Sequence, residues 1–226
     1  EVLEEYKVPT VDFIKLDVEG AELDILKGGK KFLSGRSPLA LQSEIRFQEE
    51  INGSPPFSVF DVFLREHGLR LFDLQFHYQS RVVMPYPGLG RNRQANGERF
   101  FSYTSHGQLQ DGDAFYCRDL LLPIGNPLIE QVSPTAILKL CVFLEIFSKN
   151  DCAAALLLAS KDRLDKLVDT TRLLDLLATG SNGSPTTFAQ YTRRYFIDPA
   201  PVVPDPNAPS IFRRGLRKLR RMTGTA

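Results

Sequence analysis

Val11-Asp12-Phe13-Ile14-Lys15-Leu16-Asp17-Val18-Glu19-Gly20-Ala21-Glu22-Leu23-Asp24-Ile25-Leu26-Lys27-Gly28 is the stretch on which the fold turns. Residues 11–16 are short, β-branched and apolar, follow Pro9 and precede Gly20, the pattern of a buried strand. From Ala21 the apolar residues recur at helical spacing until the Gly28-Gly29 pair, which predicts a carboxyl-terminal cap. Asp17 and Glu19 therefore stand on the turn between strand and helix, with Gly20 permitting close backbone approach and Glu22 in the first helical turn.

Outward from there, residues 39–45 predict a second strand after the breaker Ser34-Gly35-Arg36-Ser37-Pro38. Ser58 to His67 predict a helix stopping at Gly68, and residues 69–76 alternate like a strand. Residues 84–112, rich in Gly, Pro, Asn and Arg, are expected to be a long loop, and Asp113–Arg118 a short last strand at a sheet edge. Strand, helix, strand, helix, strand, loop, strand is half of a doubly wound α/β layer. After Pro127 the character changes. Residues 134–178 are Leu- and Ala-rich without strand signals and predict two or three packed helices. Residues 179–187 read as a linker, and residues 198–209, with five prolines, as extended chain.

Ligands of open α/β sheets bind at the carboxyl ends of the strands, which is where Asp17 and Glu19 fall. Helix capping accounts for Glu22, since acids near a helix amino terminus gain about 0.3–1 kcal/mol. It accounts less well for Asp17, because a charge ending a buried strand is costly unless paired. Lys15, two residues back, points to the same side.

The quoted stretch closely resembles the signature of FkbM-type methyltransferases. In that signature a strand ends in K-hydrophobic-D-hydrophobic-E-G-A-E and its helix ends in L-K-G. The likeness runs over eighteen consecutive positions, with a following strand ending in Glu44 and a final strand like Asp113-Ala114-Phe115-Tyr116 similar to the family too. It covers about residues 9–118. The resemblance implies a Rossmann-like class I methyltransferase sheet. It also implies S-adenosylmethionine as donor and a hydroxyl of a sugar, glycan or secondary metabolite as acceptor.

Such a transfer is an in-line displacement at a sulfonium methyl, and something must take the hydroxyl proton. On that basis Asp17 is the first candidate base and Glu19 a catalytic residue orienting donor or acceptor. Asp17 and Gly20 are then expected at the cofactor, and Lys15, Glu44 and His77 at the acceptor. Normal methyl transfer by Asp17→Asn in the full-length protein would remove the base assignment. The glycine-rich loop and second-strand acid that the family uses for the donor do not occur here, and Gly88-Leu89-Gly90 follows prolines rather than a strand. The 226 residues are therefore expected to be the carboxyl-terminal half of the domain (residues 1–126), a helical extension (127–180) and a disordered linker and basic tail (181–226). Alone they are expected to hold the donor poorly.

Two rivals come from other classes. Asp17-Val18-Glu19 mimics the D-x-D clamp of metal-dependent glycosyltransferases, although the E-G-A-E-L-D-I-L-K-G continuation is not needed for it. The chain could instead be a non-catalytic interaction module with residues 134–178 as its contact surface. Composition narrows the remainder. Cys117, Cys141 and Cys152 are far apart and suggest neither disulfides nor zinc, so no metal is expected and a reducing cytoplasm fits best. No run approaches the roughly 18 apolar residues of a membrane span.

His67 reads as a helix cap, His77 ends a strand and His106 sits in the long loop, where Arg81, Arg91, Arg93 and Arg99 read as a solvated surface, with contact to an acidic or phosphorylated acceptor as the alternative. The formal charge is +1, yet residues 210–222 carry six positive charges and no acid, leaving the rest at −5. Phe212, Leu216 and Leu219 lie opposite those arginines, so the tail is either solubilising chain or a weak membrane-surface contact. No nucleic-acid partner is expected. Equal vesicle flotation with and without residues 210–226 would remove the membrane idea.

Overall fold

A computed structural model describes residues 5–8, 10–33, 38–48, 54–79, 108–122, 128–178 and 186–197. It comprises two compact units, Glu1–Asp119 and Leu120–Ala226. The first unit runs β1 (Phe13–Leu16), α1 (Glu22–Gly28), α2 (Lys30–Leu33), β2 (Ala40–Arg46), α3 (Phe57–Glu66), β3 (Arg70–Gln79) and β4 (Gln108–Cys117). The strands form an open mixed sheet of order β1-β2-β4-β3. β1 and β2 are parallel, and β4 is antiparallel to both β2 and β3, so the first three strands share one direction.

Strand alternation sorts the sheet into two faces. On one, Leu16, Leu41, Ile45, Ala114 and Tyr116 join Leu23 and Leu26 of α1, Leu33 of α2, and Phe60 and Leu64 of α3 in a single core. Tyr116 is fully buried, and its hydroxyl donates to Asp61 of α3 at 3.0 Å, tying helix to sheet. Gly28-Gly29 ends α1 as expected, Gly29 donating to Ile25 O at 3.0 Å. α3 ends at His67, whose Nδ1 lies 2.7 Å from Phe63 O, followed by Gly68 at φ +79°. On the opposite face the register brings Lys15 beside Gln42, Glu44 beside Asp113, and Arg46 beside Asp111, with Gln75 and His77 across from Asp113 and Asp111.

Two expectations need correction. Residues 108–112 are strand, not loop, and Asp113–Arg118 is no edge piece: β4 is ten residues long and lies between β2 and β3. The loop reading rested on polar residues and Gly112. Asp111 belongs to the uncored face, and Gly112 marks a close approach, because a Cβ there would press on the Gln75 carbonyl.

The second unit holds a 3₁₀ turn (Leu128–Gln131) and helices α4 (Pro134–Ile146), α5 (Asn150–Ala159), α6 (Lys161–Leu164), α7 (Thr170–Leu177) and α8 (Phe188–Ile197). Ser133 caps α4, accepting from Ala136 N at 3.2 Å with Pro134 at the first position, and Asp169 caps α7 through Arg172 N at 3.0 Å. Ile137, Leu140, Leu144, Leu156, Leu157 and Leu164 are buried. Residues 188–197 were expected within a disordered tail and instead form α8. The overlooked signal is Thr187-Phe188-Ala189-Gln190: Gln190 N donates to Thr187 Oγ1 at 3.1 Å and Thr187 N to Gln190 Oε1 at 3.2 Å, a capping box. The tail at 210–222 lies outside the described residues, and no described helix is long and apolar enough to cross a membrane.

Candidate functional site

The site is built on the turn after β1. Glu19 at φ +57° and Gly20 at φ +107° are consecutive left-handed residues, a conformation that glycine adopts freely and glutamate does not. Glu22 holds it: its carboxylate, buried in the first turn of α1, takes Val18 N at 2.9 Å and Gly20 N at 3.2 Å on the same oxygen. Ser54 closes the other side by donating to Gly20 O at 3.4 Å. Glu22 thus secures the turn rather than the free amides of its own helix. Glu22→Ala leaves two amides unpaired and is expected to lower stability by about 2–3 kcal/mol, whereas Glu22→Gln, whose carbonyl accepts both, costs less than about 1 kcal/mol. Urea unfolding of the two variants checks the difference.

The clamped turn presents Asp17 and Glu19 to solvent at the end of β1. Lys15 Nζ lies 3.0 Å from Asp17 Oδ2, both side chains being about half exposed, so this pair orients more than it stabilises. Arg46 is nearly buried and reaches Glu19 at 3.2 Å and Glu44 at 3.4 Å, joining the β1 turn to β2. One oxygen each of Asp17, Glu19 and Glu44 lies within 4.8 Å of the others. The row continues across β4 and β3: His77 Nδ1 is 2.9 Å from Asp111 Oδ1, and His77 Nε2 is 3.9 Å from Asp113 Oδ2. Asp111 is 3% exposed, a carboxylate placed inside the protein for the imidazole it meets.

The expected residues Lys15, Asp17, Glu19, Gly20, Glu44 and His77 therefore fall on one face, at the carboxyl ends of β1, β2 and β3. Arg46, Asp111 and Asp113 complete the row and were missed. The last two sat in residues expected as loop or edge strand, and their alternation about Gly112 was the available signal. His106 and Arg81, Arg91, Arg93 and Arg99 lie outside the described residues.

Burial is the leading cause that holds two of these carboxyls above the usual carboxylate range. At Glu44 the Arg46 guanidinium opposes it, while Glu19, Asp111 and Glu22 reinforce it. At Asp113, His77 and Lys15 oppose it and Asp17 and Asp111 add to it. Half-buried acids with raised pKa values mark functional sites more often than chance. A raised folded pKa means that folding favours the protonated form, so stability falls as pH rises from the unfolded carboxylate range through the folded pKa. Asp113→Asn is therefore expected to be more stable than the natural protein at neutral pH. Its advantage should vanish below about pH 4, where both states are protonated; thermal melts across that range check it. By contrast, burial pushes the Cys141 thiol up to about 12, which argues against a nucleophilic thiol there.

The first unit is thus an open mixed α/β sheet with acidic residues gathered at the carboxyl ends of its parallel strands, which is where open α/β sheets bind ligands. Residues 1–71, from the chain start to the opening of β3, match the family model described as Methyltransferase FkbM domain. This segment carries Lys15, Asp17, Glu19, Gly20, Glu44 and Arg46; His77, Asp111 and Asp113 lie beyond it. No curated protein and no solved structure matches the chain.

Proposed function

We propose that the full-length protein is an S-adenosylmethionine-dependent O-methyltransferase acting on a hydroxyl of a sugar, glycan or secondary metabolite. In this proposal residues 1–126 are the carboxyl-terminal half of its Rossmann-like catalytic domain. The observation that carries the reading is the FkbM match over the very turn that presents Asp17 and Glu19. The donor set also fits: a sulfonium with an amino-acid ammonium is cationic, and the row offers it several carboxylates and, at Gly20, backbone without a Cβ. When bound, S-adenosylmethionine supplies the activated methyl group. Asp17 and Gly20 hold the donor side, Glu19 orients donor or acceptor, and Lys15, Glu44 and His77 line the acceptor side. The protein is proposed to act in the cytoplasm, with residues 127–180 as a helical extension.

A second reading has one observation in its favour. The convergence of Asp17, Glu19 and Glu44 within 4.8 Å is compatible with a divalent cation and hence with a metal-dependent glycosyltransferase. Arg46 already stands between two of the three acids, which weakens it. Incubation of the full-length protein with methyl-labelled S-adenosylmethionine and a panel of sugar and polyketide-type alcohols separates them. Label on an alcohol without added metal supports methyl transfer. Sugar transfer from a nucleotide sugar with Mn²⁺, and no label, supports the rival.

A further inference from the structure

We propose that Arg46 is the built-in counterion of the site: it takes the role of a divalent metal among Asp17, Glu19 and Glu44, excludes such a metal, and leaves the cluster suited to a singly charged organic cation. The ion pairs carry this without the methyl-transfer reading. One oxygen each of the three acids lies within 4.8 Å of the others, a spread that metal–oxygen contacts of about 2.0–2.6 Å could just span. A guanidinium is already there. Arg46 Nη2 sits 3.2 Å from Glu19 and 3.4 Å from Glu44, a single nitrogen that bridges the β1 turn to β2. The Arg46 side chain is 11% exposed and that of Glu19 83%, so the cation is set into the sheet while the acid faces solvent.

Charge decides what the cluster takes. Three carboxylates against two cations, Lys15 on Asp17 and Arg46 on Glu19 and Glu44, leave one net negative charge. Asp111 and Asp113 are outside the cluster and face His77. A dication brought among the three acids would sit within a few ångströms of a guanidinium that cannot shed its proton, and like charges that close repel strongly away from bulk water. A singly charged ammonium or sulfonium instead brings the cluster to neutrality, and it can lie against the exposed carboxylates of Asp17 and Glu19 while Arg46 stays in place. Arg46 also favours the ionised form of Glu44: burial raises that carboxyl, Glu19, Asp111 and Glu22 add to it, and the guanidinium opposes them.

The test uses Mn²⁺ alone, titrated calorimetrically into the 226-residue chain at about pH 8, where ordinary carboxyls are ionised. The natural chain and Arg46→Lys, which keeps a cation, are expected to show no saturable binding up to about 1 mM, the weak end of carboxylate cation sites. Arg46→Met should bind Mn²⁺ at least about tenfold tighter than the natural chain, because a repelling charge has left. Arg46→Met combined with Glu44→Gln should lose that gain, which places the ion at the cluster. Circular dichroism checks folding, and Arg46→Gln stands in if Arg46→Met does not fold. Saturable Mn²⁺ binding by the natural chain that Glu44→Gln abolishes overturns the proposal. So does a folded Arg46→Met or Arg46→Gln that gains none, a gain that survives Glu44→Gln, or binding by Arg46→Lys as tight as by Arg46→Met. The methyl-transfer reading fails separately, in the labelled-donor assay, and the Mn²⁺ result stands whichever way that assay falls.

Discussion

Asp17→Asn in the full-length protein is expected to weaken S-adenosylmethionine about ten- to a hundredfold while weakening S-adenosylhomocysteine distinctly less. The two ligands differ by a methyl group and the positive charge on sulfur. A carboxylate that complements that charge discriminates between them, and an amide of the same shape does not. Hydrogen bonds and contacts to charged groups are worth about 1.5–3 kcal/mol, which sets the scale at roughly one to two powers of ten. The turn should survive the change, because its conformation is held by Glu22 and Ser54 and not by Asp17. Equal weakening of both ligands would mean that Asp17 serves the amino-acid or ribose part of the donor instead.

Arg118→Ala is expected to lower the stability of the first unit by about 3–5 kcal/mol, the largest effect of any single polar truncation there. Its guanidinium donates to Pro38 O at 3.0 Å, His67 O at 3.0 Å and Leu33 O at 2.8 Å, and so fastens the ends of α2 and α3 to the start of β2. Removing it takes the donor from three part-buried carbonyls at once. Arg118→Lys reaches at most one of them and should recover only a minor part. Chemical denaturation of both variants, read by far-ultraviolet dichroism, provides the comparison.

What could be read from the sequence divides along physical lines. β1, α1, β2, α3 and β3 were legible because apolar periodicity and glycine stops coincide there, and a buried core enforces both. Placing Asp17 and Glu19 at a strand end followed from the same local pattern. β4 was not legible in full. Its first half is polar on the uncored face and carries a glycine for close approach, features that locally imitate a loop, and its position inside the sheet depends on pairing with residues far away in the chain. The His77–Asp111 pair was invisible for the same reason, since its partners are 34 positions apart. α8 is a different case: its capping box was there to be read but lay between a Gly/Ser linker and a proline-rich segment, which masked it.

The most direct test of the central claim is isothermal titration of S-adenosylhomocysteine into these 226 residues and into the same chain extended upstream. Binding by the extended chain, weak or absent in the 226 residues alone and reduced by Asp17→Asn, is the predicted result. Failure of both to bind it, with heat evolved instead on adding a nucleotide sugar and Mn²⁺, would contradict the account.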